Sequence, residues 1–548
     1  MVGSSCFCHV VLARPMSDRD LFAKSAIAQI PKLLTLLDRN PHSPTYGCFD
    51  RNFWHYKIID FPSGMAQEFV YPLALAYDTN CPDNPYYHNT AVKNWVEAAI
   101  HYAVRSSHKN GASDDYFPFE QAAGATAFSL LACVKSYQLL GLHNYAILKF
   151  FEKRADWLAH HQESGRLSNH HALIILCLET LSHLLNSSKW DRVKALRLER
   201  LLEWQSEEGW FPEYEGSDPG YLSLTITCLA QIYQFRTDTR LKEALIKAVE
   251  FAGYFLHPDG SYGGEYASRN TYNFFPHGFE LVGHWYPPAL AINDGFLKGL
   301  ANGLSPCYAD DHIIGHHTWN YLLAWRDFVT KRPEPLQRVS GRTYFQQAQL
   351  LRECRGKTEL YMALNKGGVF KVFRNNQLVV SDTQFSALVQ QGKKVKNAVG
   401  HLIDTENTKV NVTEDEIEIQ GQLGWAKQTQ MTPFKLIILR VVMLGFGRFF
   451  PNFIRKILQK ILITGKQNTG LTFKRFVRWE NEEIVVRDEL QVPKWESIKN
   501  VGIGADQTSI YVVMSRTFQP GQLQPWLDLS EEFKDLKNGE PLQIERRY

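Results

Sequence analysis

The chain has 548 residues, 44% of them hydrophobic and 21% charged, too long for one ordinary domain and too apolar for a disordered one. Its net charge of +3 gives no reason to expect a nucleic-acid partner. Nine cysteines, an odd count without framework spacing, read as reduced thiols. The first residues hold no basic stretch followed by an apolar core, so a location in the cytoplasm, or peripherally at the inner membrane surface, is expected.

Residues 1–20 read as a poorly structured N-terminus, with Met16 offering a second start. From 21 to 332 the apolar periodicity is helical. Within 91–105, Val92, Trp95, Val96, Ala99 and Ile100 fall on one face. Similar patterns follow at 121–140, 145–160, 170–185, 190–205, 221–235 and 241–256. Paired, they make helical hairpins repeating about every 50 residues, longer than a tetratricopeptide or ankyrin unit. The connections alternate in character. Residues 141–144 and 186–189 are short, while those between them are long and rich in Gly and aromatics. That one-sidedness predicts an α/α toroid, an incomplete barrel of hairpins, and not an open solenoid. Pro333 and Pro335 mark a linker over 333–345. From 346 to 548 the period becomes two, with strands expected at 360–364, 368–374, 377–381, 410–420 and 484–492. The fold class is therefore α+β multidomain, a toroid followed by an antiparallel β-sandwich.

A basic insertion, 431–466, interrupts the sandwich. Between Ile419 and Trp479 there is no Asp or Glu, against eleven Lys and Arg. Residues 452–464 place Ile454, Ile457, Leu458, Ile461 and Leu462 on one face and Arg455, Lys456 and Lys460 elsewhere. Neither half offers the ~20 uncharged residues that a span requires. A basic amphipathic helix on an anionic membrane fits the pattern, and so does a helix packed on the sandwich.

Four long connections, 110–121, 163–171, 207–221 and 258–272, carry the functional signal. In successive antiparallel hairpins every second connection lies at the same end, so these four share one mouth. Trp, Tyr, His, Asn, Glu and Asp gathered there suit a sugar better than a nucleotide or a lipid, because pyranose C–H faces pack on aromatic rings. Candidate substrate contacts are Tyr116, Trp210, Glu213, Tyr262, Glu265, Arg269, His277 and His316. Ser168 and Asp218 read as helix N-caps. There is no Walker sequence, no Gly-x-Gly-x-x-Gly between strand and helix, and no His-Glu-x-x-His. The adjacent pairs His160/His161, His170/His171 and His316/His317 diverge by ~100° on a helix and cannot both face one ion. No cofactor and no metal site is implied, with a divalent metal in the sandwich left open. Residues 205–210 (QSEEGW) look like the Gln/Trp repeat of triterpene cyclases, but Asp114 and Asp115 supply only half of the acid cluster that reaction needs.

The residues SNHHAL, with Asn169 and His170, and GWFPEYEGSDPGY, with Glu213 and Tyr221, resemble the heparinase II/III-like polysaccharide lyases, together with alginate lyases and uronyl epimerases of related build. The resemblance implies an α/α toroid followed by a β-sandwich and a reaction on an acidic polysaccharide, by abstraction of the C5 proton of a uronic acid. It implies Asn169, His170, Tyr221 and His401 as the catalytic set. Asn169 and His170 would stabilise the enolate-like intermediate, Tyr221 or a His would serve as base and acid, and Arg269 would hold the substrate carboxylate. The chain departs from the family's Gly-His-x-His-x-Asp-like stretch: the matching region has only His401, with His316 and His317 as substitutes. Two other readings stand beside this one. A glycoside hydrolase would pair Asp115 or Glu120 with Glu213 or Glu265. A non-catalytic binding or assembly protein would serve polysaccharide (exopolysaccharide) synthesis at the membrane surface.

Overall fold

The computed structural model describes residues 18–162, 165–214, 216–305, 313–426, 430–462, 467–507 and 526–548, with 515, 517, 519, 522 and 523. Residues 1–17, with Met16, lie outside the described residues, as do Glu163, Ser164 and Glu215 of the long connections and 463–466 of the basic insertion. Residues 18–20 are already helical.

The helical part opens with α1 (Asp18–Ile27), α2 (Ile30–Leu36) and the single turn α3 (Arg51–Trp54). A 3-10 turn at Met65–Phe69 leads into α4 (Val70–Asp78), followed by α5 (Thr90–Ser106), α6 (Ala123–Leu139), α7 (Tyr145–His160), α8 (Ser168–Leu185) and α9 (Asp191–Glu203). Then come α10 (Pro219–Phe235), α11 (Thr239–Gly253), α12 (His277–Gly283), α13 (Pro288–Ala301) and α14 (Ile313–Arg326). Even-numbered helices from α4 to α14 form the inner layer, each packed on the next. The sequence decides the layer. α6, α8 and α10 are buried nearly all round, whereas α5 buries one stripe through Val92, Val96, Ala99, Ile100 and Ala103. Side-chain oxygens of Asn89, Asn144, Asp218 and Asp238 accept from the first-turn amides of α5, α7, α10 and α11, so these four helices start at a defined residue, whereas Ser168, expected as a cap, is the first residue of α8. α14 packs back on α4. Arg326 Nη2 reaches Asp78 at 2.5 Å, and Trp319 Nε1 donates to Glu68 Oε1 at 2.6 Å.

Strands take over at Gly341, inside the stretch expected as linker. A five-stranded meander runs β3 (Gly341–Phe345), β4 (Leu350–Arg355), β5 (Thr358–Ala363), β6 (Val369–Arg374) and β7 (Gln377–Asp382), the labels β1 and β2 belonging to Pro212–Glu213 and Gly216–Ser217 in the third long connection. A second antiparallel sheet holds β8 (Phe385–Gln391), β9 (Lys394–Val399), β10 (Lys409–Val412), β11 (Glu416–Trp425), β12 (Asn468–Glu480), β13 (Glu483–Gln491), β14 (Ile498–Gly504), β15 (Trp526–Asp528) and β16 (Leu542–Arg547). β5 is buried on both faces. Leu360 and Met362 enter the core between the sheets, while Tyr361 and Ala363 enter the helical core, which fuses toroid and sandwich. Phe345 sits 4.8 Å from Phe251 and 5.8 Å from Phe255 at that seam. Inside the sandwich, Arg475 pairs with Asp382 at 2.9 Å and Asp488 at 2.6 Å, and Arg546 bonds the same two carboxylates.

The basic insertion leaves the sandwich between β11 and β12 as α15 (Pro433–Val442), a π-helical turn at Met443–Gly447, and α16 (Pro451–Leu462). It packs on the toroid. Met443 and Ile454 cluster with Phe117, Arg455 Nη2 donates to the carbonyls of Glu120 and Gln121 at 3.1 and 3.2 Å, and Arg440 pairs with Asp60 at 3.0 Å. Among the described residues no helix is long and apolar enough to cross a membrane.

Candidate active site

Three of the long connections are stitched together at the N-terminal ends of α8 and α10. Leu167 bridges to Glu213, Ser168 Oγ donates to the Pro212 carbonyl at 2.7 Å, and Ser268 Oγ donates to the Glu213 carbonyl at 3.0 Å. Asp218 caps α10 through the Tyr221 amide at 3.0 Å. Its other oxygen accepts from the amides of Arg269 at 3.0 Å and Thr271 at 3.4 Å, and the Thr271 hydroxyl completes the set. One carboxylate thus fixes the backbone of both Tyr221 and Arg269. The tight β1–β2 turn places Tyr214 at φ +60°, a left-handed conformation uncommon outside Gly.

On this frame Asn169, Glu213, Tyr221 and Arg269 form one contiguous group. Asn169 Nδ2 donates to both Glu213 oxygens at 2.7 Å, and the Asn169 amide N–H donates to Glu213 Oε1 at 2.9 Å. Arg269 Nη1 stands 3.5 Å from Glu213 Oε2, with its guanidinium 4.0 Å above the Tyr221 ring and 5.0 Å above that of Tyr214. Burial raises the Glu213 carboxyl above the ordinary range against the opposing pull of Arg269 and Asn169. Burial likewise raises the Tyr221 phenol, with Arg269 pulling it back. For Arg269 burial disfavours the cation, but Tyr221, Tyr214, Glu213 and Asp218 together hold it protonated beyond the usual arginine range.

His170 and Tyr116 border this group. The His170 ring lies where a side chain on Gly124 would go, 2.9 Å from the position of such a Cβ, and it meets Phe128 edge-on at 6.5 Å. Tyr116 is 77% exposed and lies near Tyr221 and Arg269, and the Asp115 carboxylate pushes its phenol upward. Below, Phe128 stacks on His316 at 4.0 Å, whose Nδ1 sits 2.5 Å from Glu68 Oε2. His316 therefore belongs to the floor, one ring removed from His170.

Other candidates are placed elsewhere. Tyr262 is in the core, its ring edge-on to Phe274 and its hydroxyl donating to the Ala252 carbonyl at 3.2 Å. Glu265 is fully buried at the seam with the sandwich, paired with Lys371 at 3.0 Å and accepting from the Tyr272 hydroxyl. Trp210 also turns to the seam, donating to Glu208, whose carboxylate holds the Gln347 and Ala348 amides. His277 lies against the C-terminal half of α14, bonded to Asn320 and 2.7 Å from Asp327. His401 is buried behind the fourth connection. Burial and then the nearby Lys366 ammonium push its imidazole down to about 3, while Lys366 donates to the carbonyls of Glu265 and Ala267. The carboxylates a hydrolase would pair are similarly engaged. Glu120 accepts from the Asp115 and Tyr116 amides, and Asp115 accepts from Ser63 Oγ at 2.8 Å. Among the described residues no three His, Cys, Asp or Glu side chains group to hold a metal. Tyr214 and Glu68 are the members sequence reasoning missed. Tyr214 stood in the right connection between two chosen residues, whereas nothing local marks Glu68.

No protein-family profile matches the chain, and no curated protein sequence does. Among solved structures the chain is similar to chondroitin AC lyase of Streptomyces coelicolor A3, in complex with chondroitin sulphate, with a TM-score of 0.58 and 9% identity over 90% of this chain and 69% of that one. It is also similar to a Paenibacillus xanthan lyase, with a TM-score of 0.53 and 11% identity over 90% of this chain and 47% of that one. The chain thus spans about half the length of the xanthan lyase. At these identities the likeness is one of fold. The toroid followed by an antiparallel sandwich, which the heparinase II/III-like resemblance implies, is the architecture found.

Proposed function

We propose that the chain acts on an acidic polysaccharide by abstracting the C5 proton of a uronic acid residue, as a polysaccharide lyase or a uronyl C5-epimerase. The observation that carries this reading is the buried group of Asn169, Glu213 and Arg269 against Tyr221, where three toroid connections are stitched together. Removing H5 leaves an electron pair that must spread into the C6 carboxylate, so that carboxylate has to be neutralised. Arg269, held in place by Glu213 and Asp218, supplies a fixed cation for it with the His170 ring beside it, while Asn169 donates to Glu213 and so anchors that cation's partner. Tyr221, under the Arg269 guanidinium, is the base. Elimination follows when the electron pair expels the oxygen at C4 and forms the C4–C5 double bond, with a proton returned to the leaving oxygen. Epimerisation follows when the proton returns to C5 from the opposite face. That two polysaccharide lyases share the fold, one of them bound to chondroitin sulphate, supports the substrate class.

The test is Tyr221→Phe, assayed on acidic glycans by the ultraviolet absorbance of an unsaturated uronide and, separately, by polymer binding. Turnover should disappear while binding persists, because only the ionisable hydroxyl is removed. Near-normal turnover would overturn Tyr221 as the base. The non-catalytic reading is favoured by one observation, that the Asn169 amide nitrogen is engaged by Glu213. Glycan binding by a wild type that turns nothing over would support it.

A further inference from the structure

The insertion formed by α15 and α16 presents one side to the toroid and leaves the other uncovered. Arg440, Met443, Ile454 and Arg455 face inward, to Asp60, Phe117 and the Glu120 and Gln121 carbonyls. Phe434, Ile437, Val441, Phe449 and Phe453 are each more than half exposed. At the turn the exposure is continuous, since Phe446 stacks on Phe450 at 4.6 Å and meets Phe453 at 6.2 Å. Isolated exposed apolar residues are ordinary, but a contiguous row of this kind marks a binding surface.

Charge selects the occupant. Lys435, Arg448 and Lys456 are exposed on the same insertion, the Arg448 guanidinium lies 4.6 Å over the Phe449 ring, and no carboxylate occurs between Ile419 and Trp479. Two copies meeting through this face would bring like charges together, because a two-fold interface sets each patch against itself. An anionic bilayer surface offers both what the aromatic side chains and what the cations need.

We propose that α15 and α16 are a peripheral docking element that seats on an anionic phospholipid bilayer. Because Phe117, Glu120 and Gln121 are held by the insertion, docking brings the first long connection to the membrane surface. This inference does not depend on the chemistry assigned to Tyr221.

The experiment is flotation of the 548-residue chain with vesicles of phosphatidylcholine alone or mixed with phosphatidylglycerol, across a salt series. Binding should require phosphatidylglycerol and weaken as the screening length falls from ~10 Å at 0.1 M to ~3 Å at 1 M. Reversing Lys435, Arg448 and Lys456 to Glu should lower vesicle binding by at least about tenfold. In Phe449→Trp the emission should shift to the blue on anionic vesicles and be quenched by brominated lipid. If charge reversal impairs folding, Phe434→Ser with Phe449→Ser reads the apolar contribution separately, with the same loss expected. Absence of wild-type binding, equal binding to both vesicle types, or insensitivity to both sets of substitutions would overturn the proposal. So would lipid-independent self-association that the Phe→Ser pair abolishes while vesicles are ignored, since that would assign the face to a second copy.

Discussion

Asp218→Ala should loosen two connections at once. The Asp218 carboxylate is 1% exposed and accepts from the amides of Tyr221, Arg269 and Thr271 and from the Thr271 hydroxyl. Losing an N-cap costs ~1 kcal/mol, and each hydrogen bond to a buried charged group contributes ~1.5–3 kcal/mol. These bonds share one acceptor group and overlap, so about 3 kcal/mol is a fair total, roughly 100-fold in a local opening equilibrium. Hydrogen exchange read by mass spectrometry should therefore accelerate by about that factor in peptides covering both 219–222 and 268–272. Asp218→Asn supplies the control. Its remaining oxygen can still cap Tyr221, but its amide group faces the Arg269 and Thr271 donors, so 268–272 should loosen more than 219–222. Acceleration confined to 219–222 in the Ala variant would reduce Asp218 to a helix cap and refute the claim that it ties Tyr221 to Arg269.

Glu120 predicts a pH effect. Burial pushes its carboxyl up to about 7 against the opposing pull of Arg455. A carboxyl that is harder to ionise when folded contributes its stability in full below the unfolded value of 4.5 and loses it as pH rises through about 7. The wild-type melting temperature should thus fall between about pH 5 and pH 8 by more than that of Glu120→Gln, and parallel curves would contradict the assignment. Gly124→Ala puts a methyl 2.9 Å from the His170 ring. It should lower kcat/KM by about tenfold through displacement of His170, with little change in stability, and unchanged kinetics would remove His170 from the proposed site. Arg475→Met leaves Asp382 and Asp488 facing Arg546 without their central partner and should cost ~3–5 kcal/mol, seen as a lower melting temperature.

The architecture was legible because it rests on period. The 145–160 helix and the strand at 377–381 were readable within a residue of α7 and β7, since burial of one face or all faces writes itself into spacing. So was the Asp218 cap, which is a local rule. What spacing cannot carry is which side chains of an irregular connection meet one another. Tyr262 and Tyr221 look equally suited to a sugar, yet one ring is in the core and the other is under Arg269. Glu265 is matched by Lys371 and Glu68 by His316, pairings across more than a hundred residues that no local pattern announces. The insertion was legible as basic and amphipathic. That it reaches back to the first connection through Arg455 was not, because its target lies in the other domain.

The proton at C5 tests the central claim most directly. An acidic glycan incubated in deuterium oxide with the wild type should lose its uronate H5 resonance, either with a new alkene proton on elimination or with solvent deuterium at C5 on epimerisation, and Tyr221→Phe should leave the resonance intact. Retention of H5 while reducing ends accumulate, or retention of H5 on every acidic glycan that the protein binds, would contradict proton abstraction by Tyr221.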